Sequence, residues 1–201
     1  MEAMLLPKTW KIDHILDQLA HSGFAIIDQA YDHEYQQQLI LECTENLDQF
    51  RKAAIQNGIV SNIRSDHILW INQDQFQIAQ QHIQALEQLS QQFNQHFFLG
   101  IQHVEAHFAC YNSGEFYALH RDNPQQKNDR MISCVYYLHE TWQDDWGGQL
   151  HLQDRQGNWH IIQPTANRIA IFQSDLLHEV KPAKQQRLSI TAWLRSGSNV
   201  I

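Results

Sequence analysis

An imidazole and a carboxylate stand two positions apart in His120-Arg121-Asp122. On extended backbone such residues point to the same side, so the two groups converge on one point. With thirteen histidines and thirteen aspartates in 201 residues, roughly 0.8 such pairs arise by chance, so the tripeptide needs a third partner. His178, at the start of a later strand-like run, supplies it. Two imidazoles and one carboxylate on one face leave octahedral positions open, which suits non-haem Fe(II) rather than a closed structural zinc site. The open positions would take a bidentate 2-oxo acid and dioxygen. Arg187 makes the acid concrete. In RLSITAWL, Arg187, Ser189, Thr191 and Trp193 share one face while Leu188, Ile190, Ala192 and Leu194 share the other. The first face is expected inside a barrel and the second against outer helices. A buried guanidinium requires an anion and its planar fork fits a carboxylate, here the distal carboxylate of 2-oxoglutarate. An arginine paired with Asp or Glu is the structural alternative.

Other residues of ligand type compete with this set. His103, Glu105 and His107 lie on one face of a strand and could form a cupin-like metal site, although alternation with Val104, Ala106 and Phe108 makes a solvated outer face the simpler expectation. His14, His21, His33, His67, His82, His96, His139, His151 and His160 are expected mostly at the surface. Cys110 and Cys134 read as small core residues. Trp142 and Trp146 flank Asp144-Asp145 before Gly147-Gly148 and read as rim packing rather than substrate contact. Arg64, Arg121, Arg130 and Arg187 fall in the site-bearing segments, so a cationic mouth on an acidic protein favours a polypeptide or carboxylate-bearing substrate.

The elements that must position these groups change character along the chain. Asp13 can cap a helix carrying Ile15, Leu16 and Leu19 that stops at Gly23, and FAIID (24–28) reads as a buried strand. Asp32 opens a helix through Tyr35, Leu39, Cys43 and Leu47, and Asp74 caps another through Ile78, Ile83, Leu86 and Phe93. From about residue 101 the period becomes two. Candidate strands are 103–110, 130–138, 149–153, 159–162, 168–172, 178–181 and 187–194, within a set of roughly eight. Helices first, then strands without intervening helices, imply an α+β, mainly β fold: a double-stranded β-helix (jelly roll) with N-terminal helices packed on one outer face. One domain over 1–201 is expected, with 1–100 as mainly helical support and lid loop and 101–195 as the jelly-roll core.

Composition narrows the function classes. A formal charge of -8 argues against a nonspecific nucleic-acid binder, because such affinity rests on Lys and Arg displacing counterions. Cys43, Cys110 and Cys134 leave one thiol unpaired in any disulfide scheme, which points to a reducing compartment. The start, MEAMLLPKTWKID, lacks a basic segment followed by an apolar run, and no apolar stretch approaches membrane-spanning length. A soluble cytoplasmic protein without a membrane or nucleic-acid partner is expected; oligomeric state is not legible.

Ordered motifs then resemble a known family. IRSDHILW (63–70), CYNSGEFYALHRDNP (110–124), RMISCVYYL (130–138), WGGQLHL (146–152) and HEVKPAKQQRLSITAW (178–193) are similar to the Fe(II)- and 2-oxoglutarate-dependent prolyl 4-hydroxylases, particularly the hypoxia-factor prolyl hydroxylases and their bacterial relatives. The resemblance spans nearly the whole chain. It implies His120, Asp122 and His178 as iron ligands, Arg187 and Tyr137 on the distal carboxylate of 2-oxoglutarate, and Tyr111 and Thr191 near that cosubstrate. It also implies that Asp66, Trp70, Arg130 and Trp193 shape the substrate entrance or contact the substrate chain, and that Phe50 to Ser65 forms a lid over bound peptide. Fe(II), 2-oxoglutarate and O2, with ascorbate as an auxiliary reductant, are the implied cofactors. The implied reaction hydroxylates a prolyl residue of a protein, at the trans-4 position, releasing succinate and CO2. Three departures bear on substrate identity: a lid segment shorter than in the animal enzymes, a turn between Tyr111 and Tyr117 one residue tighter, and Ser65 in place of a glycine before Asp66. Oxidation of another side chain or a small molecule, and a non-enzymatic metal-binding or oxygen-sensing module, are the alternatives.

Overall fold

A computed structural model describes residues 6–53, 63–124 and 129–197. The chain begins with helix α1 (Ile12–Ser22), strand β1 (Phe24–Ile27) and helix α2 (His33–Thr44). Short strands β2 (Arg51–Lys52) and β3 (His67–Trp70) lead to the long helix α3 (Gln77–Phe97). Eight strands follow: β4 (His103–Tyr111), β5 (Tyr117–His120), β6 (Arg130–Tyr137), β7 (Leu150–Gln153), β8 (Trp159–Ile162), β9 (Ile169–Gln173), β10 (His178–Val180) and β11 (Arg187–Arg195). From β4 onward the strands run without an intervening α-helix, as the sequence implies; β2 and β3, which precede α3 and extend the sheet beside β4, are additions to the expected set.

Local chemistry explains most boundaries. Gly23 ends α1 in the left-handed region at φ 85° and donates its N–H to Leu19, a conformation that costs glycine least. Asp13 does not cap this helix. Lys11 holds the cap position without a side-chain bond, and Asp13 sits in the first turn, where a carboxylate favours the helix dipole. Asp32 caps α2 as expected, accepting from the Tyr35 N–H. Asp74 does not cap α3. Glu42 of α2 reaches across and accepts from the Ile78 and Ala79 N–H groups, so a tertiary contact replaces the local cap.

The strands form two antiparallel sheets: seven strands in the order β1-β9-β6-β11-β4-β3-β2, and four in the order β5-β10-β7-β8. Alternation along the larger sheet divides the core. Ala106, Phe108, Cys110, Cys134, Tyr136, Leu188, Ile190, Ala192 and Leu194 pack with residues of the three helices, including Leu19, Leu39, Leu86 and Phe93. Ala109, Tyr111, Val135, Tyr137, Ala170 and Phe172 pack with Leu150, Leu152, Ile162 and Val180 of the smaller sheet. Two facing sheets with helices on one outer face make the double-stranded β-helix. The face assignment for β11 follows the expectation; the one for β4 reverses it. Glu105 and His107 have the same parity as Ala109 and Tyr111, so they belong to the face between the sheets rather than a solvated exterior.

Candidate active site

The last residue of β5 and the first of β10 are cross-strand partners, which puts His120 beside His178 although 58 positions separate them. Asp122 follows at the bend after β5. Ligand atoms from His120, Asp122 and His178 all lie within 4.8 Å of one another. His120 Nε2 is 3.5 Å from one Asp122 oxygen and His178 Nε2 is 3.6 Å from the other. Each imidazole directs Nδ1 to a backbone carbonyl, His120 to Ala118 at 2.8 Å and His178 to Leu176 at 2.9 Å. This favours the Nδ1–H tautomer and leaves Nε2 as the available lone pair. Ser133 donates to Asp122 at 2.7 Å and contacts the Ser174 hydroxyl at 2.8 Å.

Electrostatics hold Asp122 and His178 in the protonation states a cation requires. Burial pushes the Asp122 carboxyl up, but His178, His120 and the Ser133 hydrogen bond outweigh it and hold the group well below the usual carboxylate range. Burial, then the neighbouring His120, lowers His178 to about 4, with Asp122 opposing. A carboxylate anion and neutral imidazoles are the ligand forms that bind a divalent metal. Tyr117 stacks flat on His120 at 3.6 Å, and Phe172 meets His178 edge-on at 4.8 Å.

Arg187 opens β11 and is 1% exposed. Its guanidinium carbon lies 5.0 Å from the Tyr111 ring centre and 4.9 Å from that of Tyr137. Among the described residues no carboxylate comes within ion-pair distance of it, which removes the structural-pairing alternative. Arg187 Nε, Tyr137 Oη and Ser189 Oγ are buried without hydrogen-bond partners. Burial raises the Tyr137 phenol, offset in part by Arg187, so the hydroxyl stays a donor. Orphaned donors around an unpaired guanidinium fit an anionic ligand. Gly148, at φ 70°, leaves room for the Arg187 side chain: a Cβ there would lie 3.0 Å from Ala183 Cβ and 3.2 Å from Arg187 Cδ. Arg187, Tyr111 and Thr191 line the same cavity as the three ligand-type residues.

The entrance differs from expectation at several positions. The Arg130 guanidinium lies 3.5 Å over the ring of Trp193, which is buried, and Trp70 is 47% exposed. Asp66 is fully buried and accepts from Arg64 Nε at 2.8 Å and Nη2 at 2.6 Å, so both its oxygens are engaged by a residue that lines the cavity. Arg64 in turn lies over the Tyr117 ring at 4.4 Å. The rival metal set does not assemble: Glu105 pairs with Arg195 at 2.9 Å and Arg130 at 3.5 Å, and among the described residues only His120, Asp122 and His178 form a ligand group. His82 and His139 are buried rather than at the surface. His82 meets the Tyr31 hydroxyl at 2.6 Å under the larger sheet, and His139 packs on Trp142. Trp142 also meets Trp146 edge-on and bonds the Gly147 carbonyl, as rim packing requires. Of the expected lid, residues 54–62 lie outside the described residues. Ser133 and Tyr117 are contributors the sequence did not single out; the parity that places Ser133 on the face of Val135 and Tyr137 is the signal that could have found it.

Residues 106–195 match the 2OG-Fe(II) oxygenase superfamily. A Pseudomonas putida prolyl-4-hydroxylase crystal structure is 34% identical, covering 93% of this chain and 100% of that one with a TM-score of 0.86. The chain belongs to the prolyl hydroxylase-like family of 2OG-Fe(II) oxygenases. A Trichoplax adhaerens prolyl hydroxylase, solved with a hypoxia inducible factor oxygen degradation domain peptide, is 27% identical with a TM-score of 0.86, covering 94% of each chain. Rat Egl nine homolog 1 is 36% identical over 95 residues, 45% of this chain and 28% of that protein, so the match covers under a third of this curated relative. Membership of the prolyl hydroxylase-like family implies Fe(II), 2-oxoglutarate and O2, and the residues present fit both groups: a three-ligand cluster at one level and an unpaired guanidinium with free donors at another. No helix among the described residues is long and apolar enough to cross a membrane.

Proposed function

We propose that this protein is a 2-oxoglutarate-dependent dioxygenase that hydroxylates a prolyl residue of a protein substrate at the trans-4 position. The observation that carries the reading is an unpaired, fully buried Arg187 in the same cavity as the His120, Asp122 and His178 cluster. A lone cation beside a metal-ligand set suits a chelating dicarboxylate better than any role in the apo protein. His120, Asp122 and His178 would hold Fe(II). Arg187 and Tyr137 would hold the distal carboxylate of 2-oxoglutarate, with Tyr111 and Thr191 along its length. Together these groups supply oxidation of an unactivated C–H bond by O2, coupled to conversion of 2-oxoglutarate to succinate and CO2.

The chain's own part is positioning and exclusion. Backbone carbonyls hold both imidazoles, Ser133 holds the carboxylate, and the two sheets keep bulk water from the anion end. Trp70, Arg130 and Trp193 form an aromatic and cationic entrance suited to an extended polypeptide. The Trichoplax neighbour's peptide complex and the prolyl-4-hydroxylase likeness support a protein substrate. The remaining parts of the reading are a single catalytic domain over 1–201, action in the reducing cytoplasm, and ascorbate as the reductant that keeps iron ferrous.

Succinate release should be measured with Fe(II), 2-oxoglutarate and proline-containing peptides, with and without ascorbate, followed by mass spectrometry of the peptide. Gain of one oxygen on proline, co-eluting with trans-4-hydroxyproline after hydrolysis, is expected. Absence of both coupled and uncoupled turnover in folded, iron-loaded protein refutes the enzyme reading. Oxygen gained only by another side chain or a small molecule refutes the prolyl assignment.

A further inference from the structure

The face of β11 that lines the cavity rises in two-residue steps, and its partners on β4 and β6 mark the levels. Arg187 pairs with Tyr111; Ser189 with Ala109 and Tyr137; Thr191 with His107 and Val135; Trp193 with Glu105 and Ser133. Ser133 is bonded to Asp122, so the Trp193 level is that of the ligand cluster. Each step is about 6.7 Å. His107 therefore stands one step below the ligand cluster and two steps above Arg187, on the wall that a ligand bridging the two must pass. It lines the same cavity as both.

The His107 backbone belongs to the sheet, but among the described residues its side chain is not tied into the protein's own hydrogen bonding. It is 2% exposed, and its Nδ1 is buried without a partner. Trp70 packs against it at 5.1 Å and Trp193 at 5.2 Å, so a macromolecule entering the mouth meets the tryptophans first. A partner for this imidazole must be small enough to enter the cavity. Burial, then the cations Arg64 and Arg130, lower the group to about 3, so it is neutral and offers one N–H. A neutral, unpartnered N–H on the wall of the cavity suits a carboxylate or carbonyl oxygen.

We infer that His107 is a cosubstrate-binding residue that hydrogen-bonds the chelating end, the 1-carboxylate or 2-oxo oxygen, of the 2-oxo acid. This rests on the proposed 2-oxoglutarate site and adds a second recognition point to Arg187. The distal clamp selects a dicarboxylate of suitable length; His107 selects for the 2-oxo acid group. Succinate retains two carboxylates but lacks that group, and is the discriminating probe.

Binding of 2-oxoglutarate and of succinate should be measured by calorimetry on Mn(II)-loaded protein without oxygen, so that turnover plays no part. His107→Leu and His107→Phe should weaken 2-oxoglutarate about ten- to hundredfold, the scale of a lost hydrogen bond to a charged group, and leave succinate unchanged. Arg187→Met should weaken both. In wild-type Zn(II)-loaded protein with isotopically labelled histidine, the His107 ring resonances should move on adding 2-oxoglutarate and stay with succinate; this measurement does not depend on any variant folding. Unchanged 2-oxoglutarate affinity in the His107 variants, an equal loss for succinate, or an unmoved His107 resonance overturns the inference. If Arg187→Met still weakens both ligands, the proposed function survives that failure; if it too has no effect, the cosubstrate site itself is wrong.

Discussion

Replacing Arg187 with methionine tests the cosubstrate site most directly, because apo and bound protein should respond in opposite ways. The guanidinium is buried against Tyr111 and Tyr137 with no carboxylate partner among the described residues. Its loss removes an uncompensated buried cation, so the apo thermal midpoint should hold or rise. In bound protein a bidentate contact provides two charge-assisted hydrogen bonds at about 1.5–3 kcal/mol each, so the loss is about 3–6 kcal/mol, or roughly two to four decades in Kd. A ligand at 100 times its Kd stabilises a protein by about 2.7 kcal/mol, and about 2–4 °C accompanies each kcal/mol at this chain length. Thermal melts of Mn(II)-loaded wild type with and without 2-oxoglutarate should therefore differ by roughly 5–11 °C. Arg187→Met at the same ligand concentration should shift by no more than about 2 °C. A variant that keeps the full shift refutes the clamp. An apo midpoint lowered as much as the ligand raises it in wild type would show that Arg187 is satisfied internally, and the argument from an unpaired cation fails.

Ser133→Ala removes the donor to Asp122 and the contact with Ser174, so Mn(II) affinity followed by electron paramagnetic resonance should fall about 10–100-fold; an unchanged titration curve counts against the orienting role. Asp66→Asn leaves Arg64 buried without a full countercharge and should cost about 3–5 kcal/mol in urea unfolding, whereas a substrate-contact residue would leave stability alone and raise KM. Acid should destabilise the fold earlier than carboxylate titration alone would. Burial lowers His82, His107 and His139 from 6.5 to about 3, so between those values the unfolded chain binds protons that the native state does not, and stability falls as pH falls. Urea midpoints at pH 7 and pH 5 should differ less in His107→Leu than in wild type; identical differences would refute the assignment.

Much of this protein was legible before any coordinates. The alternation in RLSITAWL put Arg187, Ser189, Thr191 and Trp193 on one face, because strand parity is set by backbone geometry alone, and the wholly apolar opposite face marked the side for the helices. The order of short motifs was enough for the family, and the ligand trio and Arg187 followed from it. What sequence could not decide was which partner each side chain meets once the chain is folded. Asp74 looked like a helix cap, yet Glu42 from the preceding helix took that role. Asp66 looked available, yet Arg64 occupies both its oxygens. His82 and His139 are polar by type, and only the packing of helix on sheet and of Trp142 on the rim buries them. For His103, Glu105 and His107 the alternation was visible but its sign was not: period two says that these residues share a face, and only the pairing of β4 with β11 says that the face looks between the sheets. Periodicity and local propensity are properties of a segment, whereas the side of a sheet that becomes interior, and the anion a buried arginine lacks, depend on which surfaces the whole chain brings together.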